Sequence, residues 1–415
     1  MYIRLLNITL RGSTLLSKFL MIFAMVYYLN PEEIGLYGIF FSAIYYFMYF
    51  IGFEFYTYST REIASNDKSQ WSTFIRDQFI FVFILLVFLI PLSLAIFYFE
   101  LLPIKTIYYF YPILLIEYLA QEINRLLVAM SRQIQASIVL FFRSGLWPIF
   151  LIASFWFFPG QRTLSFMFVF WIIGGLSSII VGVFFLLDVI RIPTVRTVSK
   201  TWITNGIMVA IPLLIATLSS KSLFSFDRFF IEHFANLSVL AAYVFFASIA
   251  GAISAFVDAA IIVFFYPKMI VAGKNKEIAQ LNELTNSMMK QIILLSVFLS
   301  VTFFIGFNIF LQYFSHREYK DYFYFIYFTL ASISLFCLSM SPHLALYSLR
   351  KDKLLVLSNV FCLAIFVIFS FVFGNIFSAI GVLYSLLISC FLLFAIKYAF
   401  YFFSSRSLNK YQDYV

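Results

Sequence analysis

"SSKSLFSFDRFFIEHFANLS", residues 219–238, sets Lys221, Asp227, Arg228, Glu232 and His233 between two long apolar runs. It is either a loop in water or half of a membrane helix that carries charges, and the choice decides the fold. The chain around it is 63% hydrophobic and 11% charged over 415 residues, where soluble domains are roughly 45–50% and about 25%. A mean hydropathy of +0.97 excludes an ordinary soluble domain. Apolar runs of about 20 residues, the length of a membrane-crossing helix, recur from end to end. They are too continuous for the period-two alternation of a β-barrel. In hydrocarbon a helix satisfies its backbone polar groups within itself, so helices are expected throughout.

Twelve spans are expected, near 7–29, 34–57, 74–99, 107–130, 137–158, 163–187, 206–235, 237–264, 288–313, 322–348, 354–373 and 376–403. An even number puts both termini on one side. Lys and Arg choose the cytoplasm: one face collects Arg4, Arg11, Arg61, Lys68, Arg76, Arg125, Arg132, Arg143, Arg191, Arg196, Lys200, Lys268, Lys274, Lys276, Lys290, Arg350, Lys351, Lys353, Arg406 and Lys410. The other offers Lys105, Arg162, Arg317 and Lys320 and begins with the acidic "NPEEIG". The net charge of +9 is mostly this bias, and its dispersal over short loops speaks against nucleic acid as a partner. The first span reads as uncleaved rather than as a signal peptide. Of the inner connections, 266–287 is polar enough for a separate surface helix. Cys337, Cys362 and Cys390 lie in apolar runs without metal or disulfide spacing. No phosphate-binding glycine loop and no metal-spaced cluster appears, so no enzyme and no cofactor is expected.

An internal repeat orders the spans. "LNPEEIGLYGIFFSAI" and "ANLSVLAAYVFFASIA" each place a Tyr seven residues after an Asn, Asn30 to Tyr37 and Asn236 to Tyr243, with a Phe-Phe pair following. The offset of 206 pairs spans one and seven. The expected fold is therefore an all-α membrane protein with two six-helix lobes in pseudo-twofold relation around a central cavity. The lobes are 1–190 and 206–415, joined by a cytoplasmic linker at 191–205. Transporters built from such repeats bind substrate between them near the midplane. The same shift lays 219–234 on 13–28, so the quoted stretch falls on a helix, and Pro212 marks a kink or a helix start.

Charges inside spans then need an explanation, since each costs roughly 2.5–3.5 kcal/mol at a helix centre. Arg4, Asn7, Arg11, Thr14 and Lys18 form one stripe at helical spacing, and Thr217, Lys221, Ser225, Arg228 and Glu232 form another. Arg11, Lys18, Lys221 and Arg228 are candidates for a cationic cavity that takes a phosphate-bearing substrate. The alternatives are snorkelling for Arg11 and Lys18, and local pairing with Asp227 or Glu232 for Lys221 and Arg228. Glu54 sits seven residues before Arg61 on one face. Glu117, Gln121 and Arg125 form a stripe with Glu122 beside it, and Asp258 stands isolated. Glu54, Arg61, Glu117, Asp227 and Asp258 are candidates for ion coupling or for structural pairing. His343 reads as a packed histidine.

Several of these stretches carry a resemblance. "LNPEEIGLYGIF" followed by "IGFEFYTYSTREIA" resembles the N-terminal signature of polysaccharide-exporting proteins, with Pro31, Glu32, Glu33, Gly35, Tyr37, Arg61 and Glu62 matching. "SFDRFFIEHFANLSVLAAY" resembles their seventh-span signature through Asp227, Arg228 and Tyr243, and "YPKM" and "SAIGVLYSLLIS" are family-like. Glu54 departs from the pattern, which has a small residue near there. The chain thus resembles Wzx-type O-antigen or polysaccharide-unit flippases of the multidrug/oligosaccharidyl-lipid/polysaccharide exporter superfamily. The resemblance implies a bacterial inner-membrane protein that moves undecaprenyl-diphosphate-linked oligosaccharide to the periplasmic leaflet by alternating access. It implies H⁺ or Na⁺ as coupling ion, at a carboxylate such as Asp258 or Glu54. It also implies membrane lipids, a polysaccharide polymerase and a chain-length regulator as partners. The rivals are a cation-coupled multidrug antiporter of the same superfamily, whose cargo favours an acidic cavity, and a membrane-embedded polymerase or ligase, which needs a large outer loop.

Overall fold

Asn30 and Asn236, the two asparagines of the repeat, both cap helices. Asn236 accepts a hydrogen bond from the Val239 amide at 2.9 Å. After Asn30, Pro31 takes the first helical position, and the Glu33 carboxylate accepts from the Asn30 amide at 3.4 Å. Proline is preorganised there, and carboxylates in a first turn favour the helix dipole. The other oxygen of Glu33 accepts from the Leu164 amide at 2.9 Å, which ties this turn to the start of a later helix. Tyr37 and Tyr243, and Phe40 and Phe246, are all buried.

The computed structural model describes residues 2–191, 197–310 and 317–412, with side chains undescribed at 2–5, 8, 308–310 and 408–412. Arg196, residues 192–195 of the expected linker, residues 311–313 of the ninth expected span, and the side chains of Arg4 and Lys410 lie outside the described residues. The helices are α1 (Tyr2–Tyr28), α2 (Pro31–Gly52), α3 (Tyr56–Ser65), α4 (Lys68–Ser93), α5 (Ile107–Ala129), α6 (Gln133–Phe157) and α7 (Leu164–Ile190). They continue with α8 (Lys200–Ser222), α9 (Phe226–Phe234), α10 (Leu237–Lys274), α11 (Ile278–Phe310), α12 (Phe325–Ser348), α13 (Asp352–Phe377) and α14 (Ala379–Gln412). Among the described residues eleven stretches are long and apolar enough to cross a membrane, α8 with α9 counting as one. The 23-residue α5, which carries Glu117, Glu122 and Arg125, makes the twelfth. The chain is an all-helical, multi-pass membrane protein, as expected.

It divides into two compact units, 1–218 and 219–415. In the first, α5 packs on α7, and in the second α14 packs on both α12 and α13. Glycines allow the close approach in the first unit: a Cβ at Gly174 would meet Trp147 at 2.3 Å, and one at Gly175 would meet Ile116 at 2.2 Å. Large apolar side chains such as Phe88, Phe184 and Phe298 point outwards, as a hydrocarbon solvent permits.

Two local expectations change. Residues 266–287 do not form a separate surface helix. Their polar residues instead prolong α10 and α11, which meet at a turn over Asn275–Glu277 closed by Glu277 N to Ala272 O at 2.9 Å. Pro212 does not start a helix but lies inside α8, which already begins at Lys200. That start is held by Asp77, whose carboxylate accepts from the Ser199 amide at 3.1 Å and from Arg76 at 2.6 Å. Trp202 then stacks on Phe74 with ring centroids 5.4 Å apart.

Overpacking a tight glycine is expected to cost about 1–3 kcal/mol. Gly175→Leu should therefore lower the thermal unfolding midpoint in detergent. Gly251→Ala, with nothing within 4 Å of the added Cβ, should not lower it.

Candidate functional site

The quoted stretch is helical at 219–222 and 226–234, interrupted over Leu223–Ser225. The interruption is a turn: Phe224 N bonds to Lys221 O and Ser225 N to Ser222 O, each at 3.2 Å. It resets the helical register, so Thr217, Lys221, Ser225, Arg228 and Glu232 do not form one continuous stripe. Lys221 is exposed, Ser225 is buried and Arg228 is partly buried. The Asp227 carboxylate accepts from the Tyr243 hydroxyl and, at 2.7 Å, from the Arg228 amide. The Arg228 guanidinium donates to the Phe224 carbonyl at 2.9 Å. Asp227 is thus satisfied by Tyr243 and by its own turn, while Asp258 and Lys221 lie in each other's electrostatic field. Asp258 opens a π-turn, Asp258–Ile262, and is exposed.

In the first unit the charges converge on α5. Glu117 and Arg143 are 2% and 3% exposed. The guanidinium donates to one Glu117 oxygen at 2.7 and 2.5 Å, and also to Gln121 Oε1. Trp171 Nε1 donates to the other Glu117 oxygen at 2.6 Å. Arg143 does not lie at a helix end, where its sequence neighbourhood put it. It sits ten residues into α6, about 15 Å along at 1.5 Å per residue, inside the π-turn Phe142–Leu146. Lys18 lies in the field of Arg143 and Glu117. Thr14, one turn earlier in α1, is buried beside Gly145. The α1 stripe therefore faces α6 within its own unit. Arg11 donates to Ser137 at 3.2 Å, and Ser137 in turn donates to Asn7.

A second network links α4, α5 and α3. Arg125 pairs with Glu122 at 2.5 Å rather than extending the Glu117–Gln121 stripe, and it stacks on the Tyr56 ring at 3.5 Å. Gln78 donates to Glu122 at 2.6 Å. Glu54 sits beside this network, 3% exposed. The helix expected to align it with Arg61 breaks between them. Phe53 and Glu54 both take left-handed backbone, φ 52° and 53°, at about 1–2 kcal/mol per L-residue. The Tyr56 and Thr217 hydroxyls lie within hydrogen-bonding range of the Glu54 carboxylate, and Arg125 lies in its field. One carboxylate oxygen, Oε1, is buried without a hydrogen bond. Arg61 is exposed on α3.

Sequence reasoning missed three buried polar features: Arg143 as the partner of Glu117, the Gln78–Glu122 bond, and Lys397, which is buried in α14. For Arg143 a signal existed, since its distance from the polar start of α6 places it at depth. Among the described residues no group of three His, Cys, Asp or Glu side chains could hold a metal ion.

No protein-family model and no curated relative matches the sequence. Solved structures do. An inward-facing multidrug resistance MATE family transporter of the MOP superfamily superposes with a TM-score of 0.78 over 98% of this chain and 99% of its own, at 13% identity. An outward-facing one gives 0.66 over 98% and 96%, at 16% identity. A MATE crystallised with MaD3S gives 0.66 over 97% and 95%, at 14% identity. The chain has the fold of these transporters.

Removing one partner of a buried ion pair leaves the other uncompensated, at about 3–5 kcal/mol. Glu117→Ala and Arg143→Ala are each expected to lower the unfolding midpoint sharply. The double change Glu117→Leu with Arg143→Met should recover most of the loss. Thermal unfolding in detergent, with membrane abundance measured alongside, checks both.

Proposed function

We propose that this chain is an ion-coupled, alternating-access transporter of a bacterial inner membrane, with both termini cytoplasmic. The observation that carries the reading is the match along nearly the whole chain to transporters solved in inward-facing and outward-facing forms, with TM-scores of 0.78 and 0.66. The coupling ion is H⁺ or Na⁺, with Glu54 and Asp258 as the carboxylates to hold it. Such an ion drives the cycle only if its affinity differs between the two states.

For the cargo, the neighbours' description as multidrug resistance transporters favours a small amphipathic molecule, expelled by antiport. A second reading rests on side chains. Arg11 and Lys221 are exposed and Lys18 and Arg228 partly so, and such cations suit a diphosphate better than a cationic drug. In that reading the cargo is an undecaprenyl-diphosphate-linked oligosaccharide with its tail left in the bilayer, and a polysaccharide polymerase and chain-length regulator act downstream.

Proteoliposomes discriminate the two. Under an imposed ion gradient, the antiporter reading expects movement of a cationic dye such as ethidium. The flippase reading expects translocation of a fluorescent polyprenyl-diphosphate saccharide, lost on combining Lys18→Ala, Lys221→Ala and Arg228→Ala while the protein stays in the membrane. A triple variant that moves the saccharide at the wild-type rate sinks the cationic site. Movement of neither probe sinks both cargo readings.

A further inference from the structure

Lys397 belongs to none of the sites above. It is 2% exposed. The groups acting on it are the thiols of Cys390 on its own helix and Cys362 on α13, and the His343 ring on α12. None is a carboxylate, and no ion pair forms at Lys397 among the described residues. His343 Nδ1 is itself buried without a hydrogen bond.

Among the described residues the other elements packed on α14 form no ion pair with Lys397. On α9, Asp227 lies in the field of Cys390 and is already held by Tyr243 and the Arg228 amide. On the same helix Arg228 is engaged with Phe224, Glu232 is partly buried and His233 is exposed. On α11, Asn282 accepts from Tyr401 at 2.5 Å and Thr285 lies beside the same hydroxyl, both neutral. Glu283 and Lys290 of α11, and Asp352 and Lys353 at the start of α13, are exposed.

An ammonium buried without a counter-ion or a full hydrogen-bond set is penalised by the loss of its hydration. An intramembrane ionisable residue held in this way is a functional position rather than a packing choice. The cysteine at each neighbouring position fills space without offering a charge, and the unsatisfied His343 nitrogen offers an acceptor that an ammonium would use.

We propose that Lys397 is a proton-binding site of the second unit, whose charge state differs between conformations, so that the transport cycle is coupled to H⁺. The Nζ lone pair takes the proton, the site gains one positive charge, and His343 Nδ1 accepts a hydrogen bond from the ammonium formed. Protonation then favours whichever conformation lets water or a counter-charge reach the amine. This rests on the alternating-access reading and adds to it the identity of the ion and a site outside the carboxylates.

The test needs no cargo. Spin labels at Gln161→Cys and Asn375→Cys, one exposed position in each unit, report distance distributions in liposomes by pulsed EPR, with the three native cysteines buried. In the otherwise unaltered protein, the ratio of two distance populations should change with pH, by up to about tenfold per pH unit for one proton. Lys397→Met should hold one ratio at every pH. Lys397→Arg, permanently charged, should hold a different one, and His343→Gln should move the midpoint without removing the response. If Lys397→Arg fails to assemble, Lys397→Met alone decides. An unchanged midpoint in Lys397→Met overturns the site. A wild-type protein with two populations but no pH response overturns it too, and leaves the alternating-access reading standing. A single population under every pH and ion gradient overturns both.

Discussion

Hydrocarbon offers no hydrogen bonds, and that constraint shapes the whole molecule. A backbone group left open there costs several kcal/mol, so each crossing is a helix. Two of the places where helix is interrupted are informative exceptions. At Phe53–Phe55 the chain bends through two left-handed residues, and the turn is closed by Phe55 N to Gly52 O and Thr57 N to Glu54 O, both at 3.0 Å. At Leu223–Ser225 the same closure occurs at 3.2 Å. Both breaks hold buried residues, Phe55 in one and Leu223 and Ser225 in the other, as irregular backbone at membrane depth requires. Each break also sits beside an acidic residue, Glu54 and Asp227, which the turn brings into contact with hydroxyl and amide donors.

The same lack of solvent governs the charges, and the two units meet it differently. In the first, Arg143 and Arg125 are matched by Glu117 and Glu122, and Gln121, Gln78 and Trp171 fill the remaining bonds. Such networks hold α4, α5, α6 and α7 in one arrangement and add specificity more than net stability. At the helix ends, Lys68 and Arg132 share Asp188 at 2.6 Å each. In the second unit Asp227 is balanced by a tyrosine and backbone, and Lys397 forms no ion pair among the described residues.

The fold was legible in the sequence because hydropathy is a local property. Twelve apolar runs, a repeated Asn-to-Tyr spacing and an acidic capped turn are each visible in a window of about 20 residues. They led to the helices observed, including the placement of 219–222 and 226–234 on helix rather than loop. The site was legible only in part. Glu117 was picked out as a buried acid, but Arg125 was its nearest basic neighbour on the same helix, whereas its partner Arg143 comes from the next one. The Glu54–Arg61 alignment assumed unbroken helix, and so did the stripe through Ser225. A three-residue turn of bulky side chains, with no glycine or proline in it, gives a periodicity argument nothing to detect.

What the sequence determined by itself is what depends on single segments: which stretches enter the membrane, where their caps lie, and that the chain repeats. What only the tertiary structure decided is which charges meet. A helix presents its side chains on all sides, and sequence fixes their angles around the axis but not which neighbour lies along each angle. Packing across α1, α5 and α6 brought Lys18, Glu117 and Arg143 together. Packing across α12, α13 and α14 enclosed Lys397 between a histidine and two thiols. Both clusters join residues far apart in the chain, and their energies exist only once the helices have closed around them and excluded water.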